Sequence, residues 1–132
     1  MSAKRVLIAG ATGLVGYAAM KHLSSQKDCE VIAVSRRRPD DTFGMRWLPL
    51  DLTDAAACAG LASEVGDISH VVYAALHERP GLVAGWQEEE QIRTNDLMLR
   101  NLLGPVERAS PSLRHVALLQ GTKAYGVHIR PL

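Results

Sequence analysis

The chain has 132 residues, enough for one domain that buries roughly two-thirds of the surface its unfolded form exposes. With 47% hydrophobic and 22% charged residues it has the composition of an ordinary globular protein, which excludes a disordered tail. Lys and Arg total 15 against 14 Asp and Glu, so the formal charge is +1 and no global field steers the protein onto nucleic acid.

Lys4-Arg5, followed by Val6-Leu7-Ile8-Ala9 and small residues, superficially matches a secretory leader. Regularly spaced glycines break that apolar run, and the pattern continues past Met20 into His22 and Leu23, so a strand and a helix are expected instead. Val6 to Ala9 read as a central parallel strand buried on both faces, ended by a turn from Gly10. Leu14, Val15, Ala18, Ala19 and Leu23 then recur at helical spacing, with Ser24 to Lys27 as a polar exit. Val31 to Val34 form the second strand, and the charged stretch Arg36 to Thr42, interrupted by Pro39, is a loop.

A short third strand is expected around Arg46 to Leu48. Asp51-Leu52-Thr53-Asp54 leads into a helix from Ala55 to Val65, capped by the side-chain oxygen of Thr53 or Asp54. Val71 to Ala74 form the fourth strand, and His77 to Gly85, with Pro80, a loop near the ligand. A long helix begins near Trp86, its start made acidic by Glu88 to Glu90, and runs through Ile92, Leu99, Leu102 and Leu103. Gly104-Pro105 is expected to kink or end it, because proline lacks the donor and clashes with the preceding turn. Val116 to Leu119 complete the strands.

Alternating short apolar strands and helices predict an α/β fold, a Rossmann-like doubly wound parallel sheet in the order 3-2-1-4-5. No repeat, linker or low-complexity tract interrupts the chain, so residues 1–132 are expected to form one domain.

Gly10-Ala11-Thr12-Gly13-Leu14-Val15-Gly16 is a GxxGxxG run set between a buried strand and an amphipathic helix. The first glycine permits the tight turn, the second lets backbone approach a pyrophosphate, and the third lets helix and strand pack closely. Free amides at the helix start then bind the anion. A plain strand-to-helix turn without a nucleotide is the competing reading, disfavoured by the strand before, the helix after and the marked end of strand two.

About 20 residues beyond such glycines, an acidic side chain usually accepts hydrogen bonds from the adenosine ribose. Here the region reads Ser35-Arg36-Arg37-Arg38. Guanidinium groups pair with a 2′-phosphate that an acid would repel, so NADP(H) is expected, with Arg36 first and Arg37 second as its partners. A solvated basic loop is the competing reading, and it suits Arg38 best.

These residues resemble the extended short-chain dehydrogenase/reductases, and within them the progesterone 5β-reductase/iridoid synthase-like group. The resemblance spans nearly the whole chain: GATGLVG, SRRRP, WLPLDLTD, HVVYAAL, TNDLMLRNLL and, most specific, LRHVALLQGTKAYGVH. It implies that Asp51 and Leu52 lie against the adenine, that Tyr73, Ala74 and Ala75 border the cofactor, and that Asn95 takes the central helix's polar position. Gln120 and Gly121 are expected beside the cofactor, and Lys123 is expected in the active site. In the family this lysine and a downstream tyrosine face the substrate carbonyl while NADPH delivers hydride to the β-carbon of an activated alkene, an enone. A positioned cation suits the oxyanion that conjugate addition creates.

Gly121 stands where ordinary extended members carry serine or threonine, and no YxxxK follows, which argues against epimerase or dehydratase chemistry. The family's catalytic tyrosine would fall beyond Leu132, so the resemblance implies a fold truncated on its C-terminal side, part of a longer reductase. The alternative is a non-catalytic NADP-binding module. Tyr125, two residues past Lys123, is a conceivable substitute proton donor, but packing beside the cofactor explains it more simply.

The remaining candidates are structural. His22, His70, His77, His115 and His128 are too scattered for a metal site, and none is assigned. Trp47 is expected in the core and Trp86 against a loop, neither in a basic setting that suggests nucleic acid. Cys29 and Cys58 lack CxxC spacing and are too few for a disulfide scaffold, which fits a reducing cytoplasm. No apolar stretch is long enough for a membrane span. An unpaired edge at strand five would invite a homodimer.

Overall fold

The structure is a computed structural model, and it describes residues 3–78 and 89–119. Among the described residues, five strands and three helices follow in the order β1 (Lys4–Ala9), α1 (Leu14–Ser24), β2 (Cys29–Ser35), β3 (Arg46–Pro49), α2 (Ala55–Val65), β4 (His70–Tyr73), α3 (Glu89–Ala109) and β5 (His115–Leu118). All four pairings are parallel and the order is β3-β2-β1-β4-β5, the doubly wound arrangement expected.

Alternation along the strands divides the core in two. Leu7, Ile32, Val34 and Val71 face α2 and α3, meeting Leu61, Ala62, Val65, Met98, Leu102 and Val106. Val6, Ile8, Val31 and Ala33 belong to the other cluster, with Met20 of α1 and with Tyr17, Phe43 and Trp47 packed around it. A strand covered on both faces has no room for polar residues, which is why β1 and β2 read as unbroken apolar runs.

Several element ends differ from expectation. β1 and β2 start two residues earlier, where Lys4 pairs with Cys29 and Arg5 with Glu30, because polar side chains reach solvent at the sheet's edge. β4 and β5 each begin and end one residue sooner than their hydrophobicity suggests. Pro105 does not end the long helix, which continues to Ala109. Proline forfeits the hydrogen bond to the carbonyl four residues back, but Val106, only 1% exposed, packs into the core and holds the last turn in place. The expected start of this helix at Trp86 lies outside the described residues. Asp54, rather than Thr53, caps α2, accepting from Ala57 N at 3.0 Å. Among the described residues no helix is long and apolar enough to cross a membrane.

Candidate functional site

The chain leaves β1 toward β2 on one side of the sheet, while β4 lies on the other, so a crevice opens at the C-terminal ends of the strands. A cleft of about 650 Å³ occupies it. Its floor is the glycine loop, and its walls come from the segments after β2, β3 and β4, with Met98 of α3 and Leu119 beyond β5 completing it.

The glycine loop is built by close approach. Gly10 has φ +93°, a left-handed conformation, and a Cβ there would stand 2.7 Å from the Ala74 carbonyl carbon. Gly16 is tighter still, because its Cβ would collide with the Gly10 carbonyl oxygen. Gly10 N and Ala11 N both donate to Val34 O, at 3.1 and 3.2 Å, which ties the loop to the end of β2. The glycines at 10 and 16 thus seat α1 against the sheet, while Gly13 takes the N-cap position in extended backbone.

Gly13 offers no side-chain cap, and no acidic residue stands in the first turn of α1. The amides that open a helix have no intrahelical acceptor, so those of Leu14, Val15 and Gly16 keep their donor capacity and the positive end of the helix dipole is uncompensated. Leu14 is 90% exposed where it lines the cleft, an unusual setting for leucine.

Across the cleft, the segment after β2 carries the arginines. Arg36 lines the cleft and is exposed, and among the described residues no carboxylate pairs with it. Asp51, an acidic residue on the same lining, is committed elsewhere: Oδ1 accepts from Thr53 Oγ1 at 2.7 Å and Thr53 N at 3.0 Å. The Thr53 hydroxyl first, the Thr53 amide next and the Arg36 charge more weakly hold this carboxyl below its ordinary value.

Of the expected cofactor residues, Gly10, Thr12, Gly13, Leu14, Val15, Ser35, Arg36, Asp51, Leu52, Ala74 and Ala75 all border this one cleft. Gly16, Arg37, Tyr73 and Asn95 do not. Tyr73 is turned into the core and 5% exposed, its hydroxyl without a hydrogen-bond partner among the described residues, and burial pushes its pKa up to about 12. Asn95 instead grips the backbone of His77, which itself borders the cleft. Arg38, expected to be merely solvated, lies 5.9 Å from the centre of the Trp47 ring. Gln120, Gly121 and Lys123, like Tyr125, lie outside the described residues.

Val34, Leu50, Thr53, Leu76, Met98 and Leu119 also line the cleft without having been singled out. Most belong to strand ends, and a parallel sheet collects its strand ends at one rim; the topology could have flagged them. Met98 comes from mid-helix and carries no local signal.

The glycine cradle and the uncapped helix fit a diphosphate, and Arg36 lines the same cleft with no carboxylate partner among the described residues. The family model described as the NAD dependent epimerase/dehydratase family matches residues 6–130. The chain is 32% identical over 127 residues to 3-oxo-Delta(4,5)-steroid 5-beta-reductase of Arabidopsis thaliana, covering 90% of this chain and 31% of that protein. It is 31% identical over 126 residues to (S)-8-oxocitronellyl enol synthase of Nepeta cataria, covering 90% and 30%. The chain therefore spans about a third of the length of the curated relatives it matches. Among solved structures, uronate dehydrogenase from Agrobacterium tumefaciens superposes with a TM-score of 0.62 at 26% identity, over 89% of this chain and 41% of that one. By its glycine loop, its sheet order and the match over residues 6–130, the chain belongs to the NAD dependent epimerase/dehydratase family.

Proposed function

We propose that this chain is the NADPH-binding part of a reductase that adds hydride to the activated C=C bond of an enone. The observation that carries this reading is one cleft with two separate anion-seeking ends: the uncapped start of α1 and the guanidinium of Arg36, which no carboxylate pairs with among the described residues. The amides of Leu14 and Val15 would hold the diphosphate, with Gly10 and Gly13 letting it approach the backbone. Arg36 would take the 2′-phosphate as a charge-assisted, two-point hydrogen-bond partner, with Arg37 as a secondary cation. Leu50 and Leu52 offer an apolar wall for adenine beside Asp51, and Ala74 to Leu76 would flank the nicotinamide end.

When bound, NADPH supplies the hydride for the β-carbon of the alkene. Lys123 would face the carbonyl oxygen, where conjugate addition places negative charge, and stabilise it as a cation. The relatives support this chemistry, since one is named as the reductase of a 3-oxo-Delta(4,5)-steroid and another as an enol synthase. Quenching of intrinsic fluorescence by NADPH, with NADPH consumed on adding a small enone, is the expected result. No quenching would remove the nucleotide assignment. Quenching without consumption would favour the second reading, a binding module without turnover.

A further inference from the structure

Trp47 does not line the cleft, yet it is bonded to the segment that presents the arginines. Its Nε1 donates to Ser35 Oγ at 2.9 Å, and Ser35 Oγ donates in turn to the Arg37 carbonyl at 2.5 Å. Both bonds use the serine hydroxyl once as acceptor and once as donor, so its single proton is fully committed. Ser35 is 8% exposed at the last position of β2, and Leu50 N binds its carbonyl at 2.9 Å, so the anchor is fixed at backbone and side chain alike. Between the two ends of this relay lies Arg36. On the far side, the same indole ring carries the guanidinium of Arg38, an arrangement in which cation and π-face attract.

We propose that Trp47 is a positioning residue for cofactor selection: through Ser35 it fixes the turn that sets Arg36 on the cleft, and through its ring it holds Arg38 aside. This rests on the reading of Arg36 as the 2′-phosphate partner. The cause is preorganisation. A loop with three successive arginines has many conformations, and binding a phosphate through one of them costs the entropy of ordering the turn, unless the free protein has already ordered it. The indole is seated for this task, half-buried against the cluster of Val6, Ile8, Ala33 and Met20. Strand pairing sets Trp47 beside Ala33 and Pro49 beside Ser35, so a side chain reaching one step along the sheet meets the serine.

Trp47→Phe removes the N–H but keeps a ring for Arg38, and Ser35→Ala removes the relay at its centre. Titrated with NADPH and with NADH, each variant is expected to lose about fivefold more in NADPH affinity than in NADH affinity, the worth of one net hydrogen bond. A loss shared equally by both nucleotides, or no loss in either variant, overturns the proposal, because a merely structural tryptophan would not distinguish two ligands that differ by one phosphate. Arg36→Ala, run alongside, tells the two failures apart. If it abolishes the preference and Trp47→Phe leaves it intact, the positioning role alone is wrong; if wild type shows no preference, both claims fall.

Discussion

The side chain of Asn95 and the backbone of His77 form a two-point amide pair: His77 N donates to Oδ1 at 2.8 Å while Nδ2 donates to His77 O at 2.9 Å. Nδ2 also donates to Gln91 O at 2.9 Å, so one asparagine fastens the segment after β4 to α3. Asn95→Ala leaves two half-buried backbone groups without partners, and a destabilisation of about 2 kcal/mol is expected in urea unfolding. NADPH affinity should fall with it, since His77 borders the cleft. An unchanged urea midpoint would show that the pair contributes nothing.

Gly16→Ala drives a methyl group into the Gly10 carbonyl and should cost about 1–3 kcal/mol while destroying nucleotide binding. Gly60→Ala is its opposite. Gly60 sits within α2 with nothing near its missing Cβ, so the substitution should stabilise by about 0.5–1 kcal/mol through helix propensity. Thermal melts of both variants check the contrast; equal effects would contradict the close approach assigned to Gly16.

How far the sequence disclosed this arrangement depends on the distance over which each feature is built. The glycine loop was legible because strand, turn and helix are contiguous, and the two-sided burial of β1 and β2 shows as apolar runs. Pro105 misled because its local cost is overridden by the burial of Val106, a tertiary effect. Arg38 is exposed and off the cleft, as expected, but its ring contact was not legible, because Trp47 is brought near only when β3 pairs with β2. Asn95 was expected at the cofactor, and its bond to His77 spans a separation of 18 residues that no spacing rule encodes.

Arg5 joins three elements. Its Nε pairs with Glu30 Oε2 at 2.9 Å, and one terminal nitrogen donates to Val65 O at 2.7 Å and Asp67 O at 2.6 Å, closing the end of α2 onto β1 and β2. Arg5→Leu should cost about 1.5–3 kcal/mol, the range for hydrogen bonds to a charged group. Arg5→Lys should not recover it, because a single ammonium cannot reproduce the planar fork. Full recovery by lysine, measured in urea, would show that charge alone suffices.

Asp51 has a carboxyl held below its ordinary 3.8, mainly by the Thr53 hydroxyl. A group lowered on folding adds stability that is complete above its unfolded value and is lost as pH falls through the folded one. Asp51→Asn keeps an acceptor for Thr53 but cannot titrate, so the drop in urea midpoint between about pH 5 and about pH 3 should be shallower than in wild type. Identical acid limbs would remove Asp51 from the account.

The central claim is that Arg36 selects the phosphorylated nucleotide, and titration calorimetry with NADPH and NADH tests it on wild type and Arg36→Glu. Wild type is predicted to bind NADPH at least about tenfold more tightly, and charge reversal to abolish that margin while NADH binding persists. Equal affinity for the two nucleotides in wild type, or a preference that survives reversal, would contradict it.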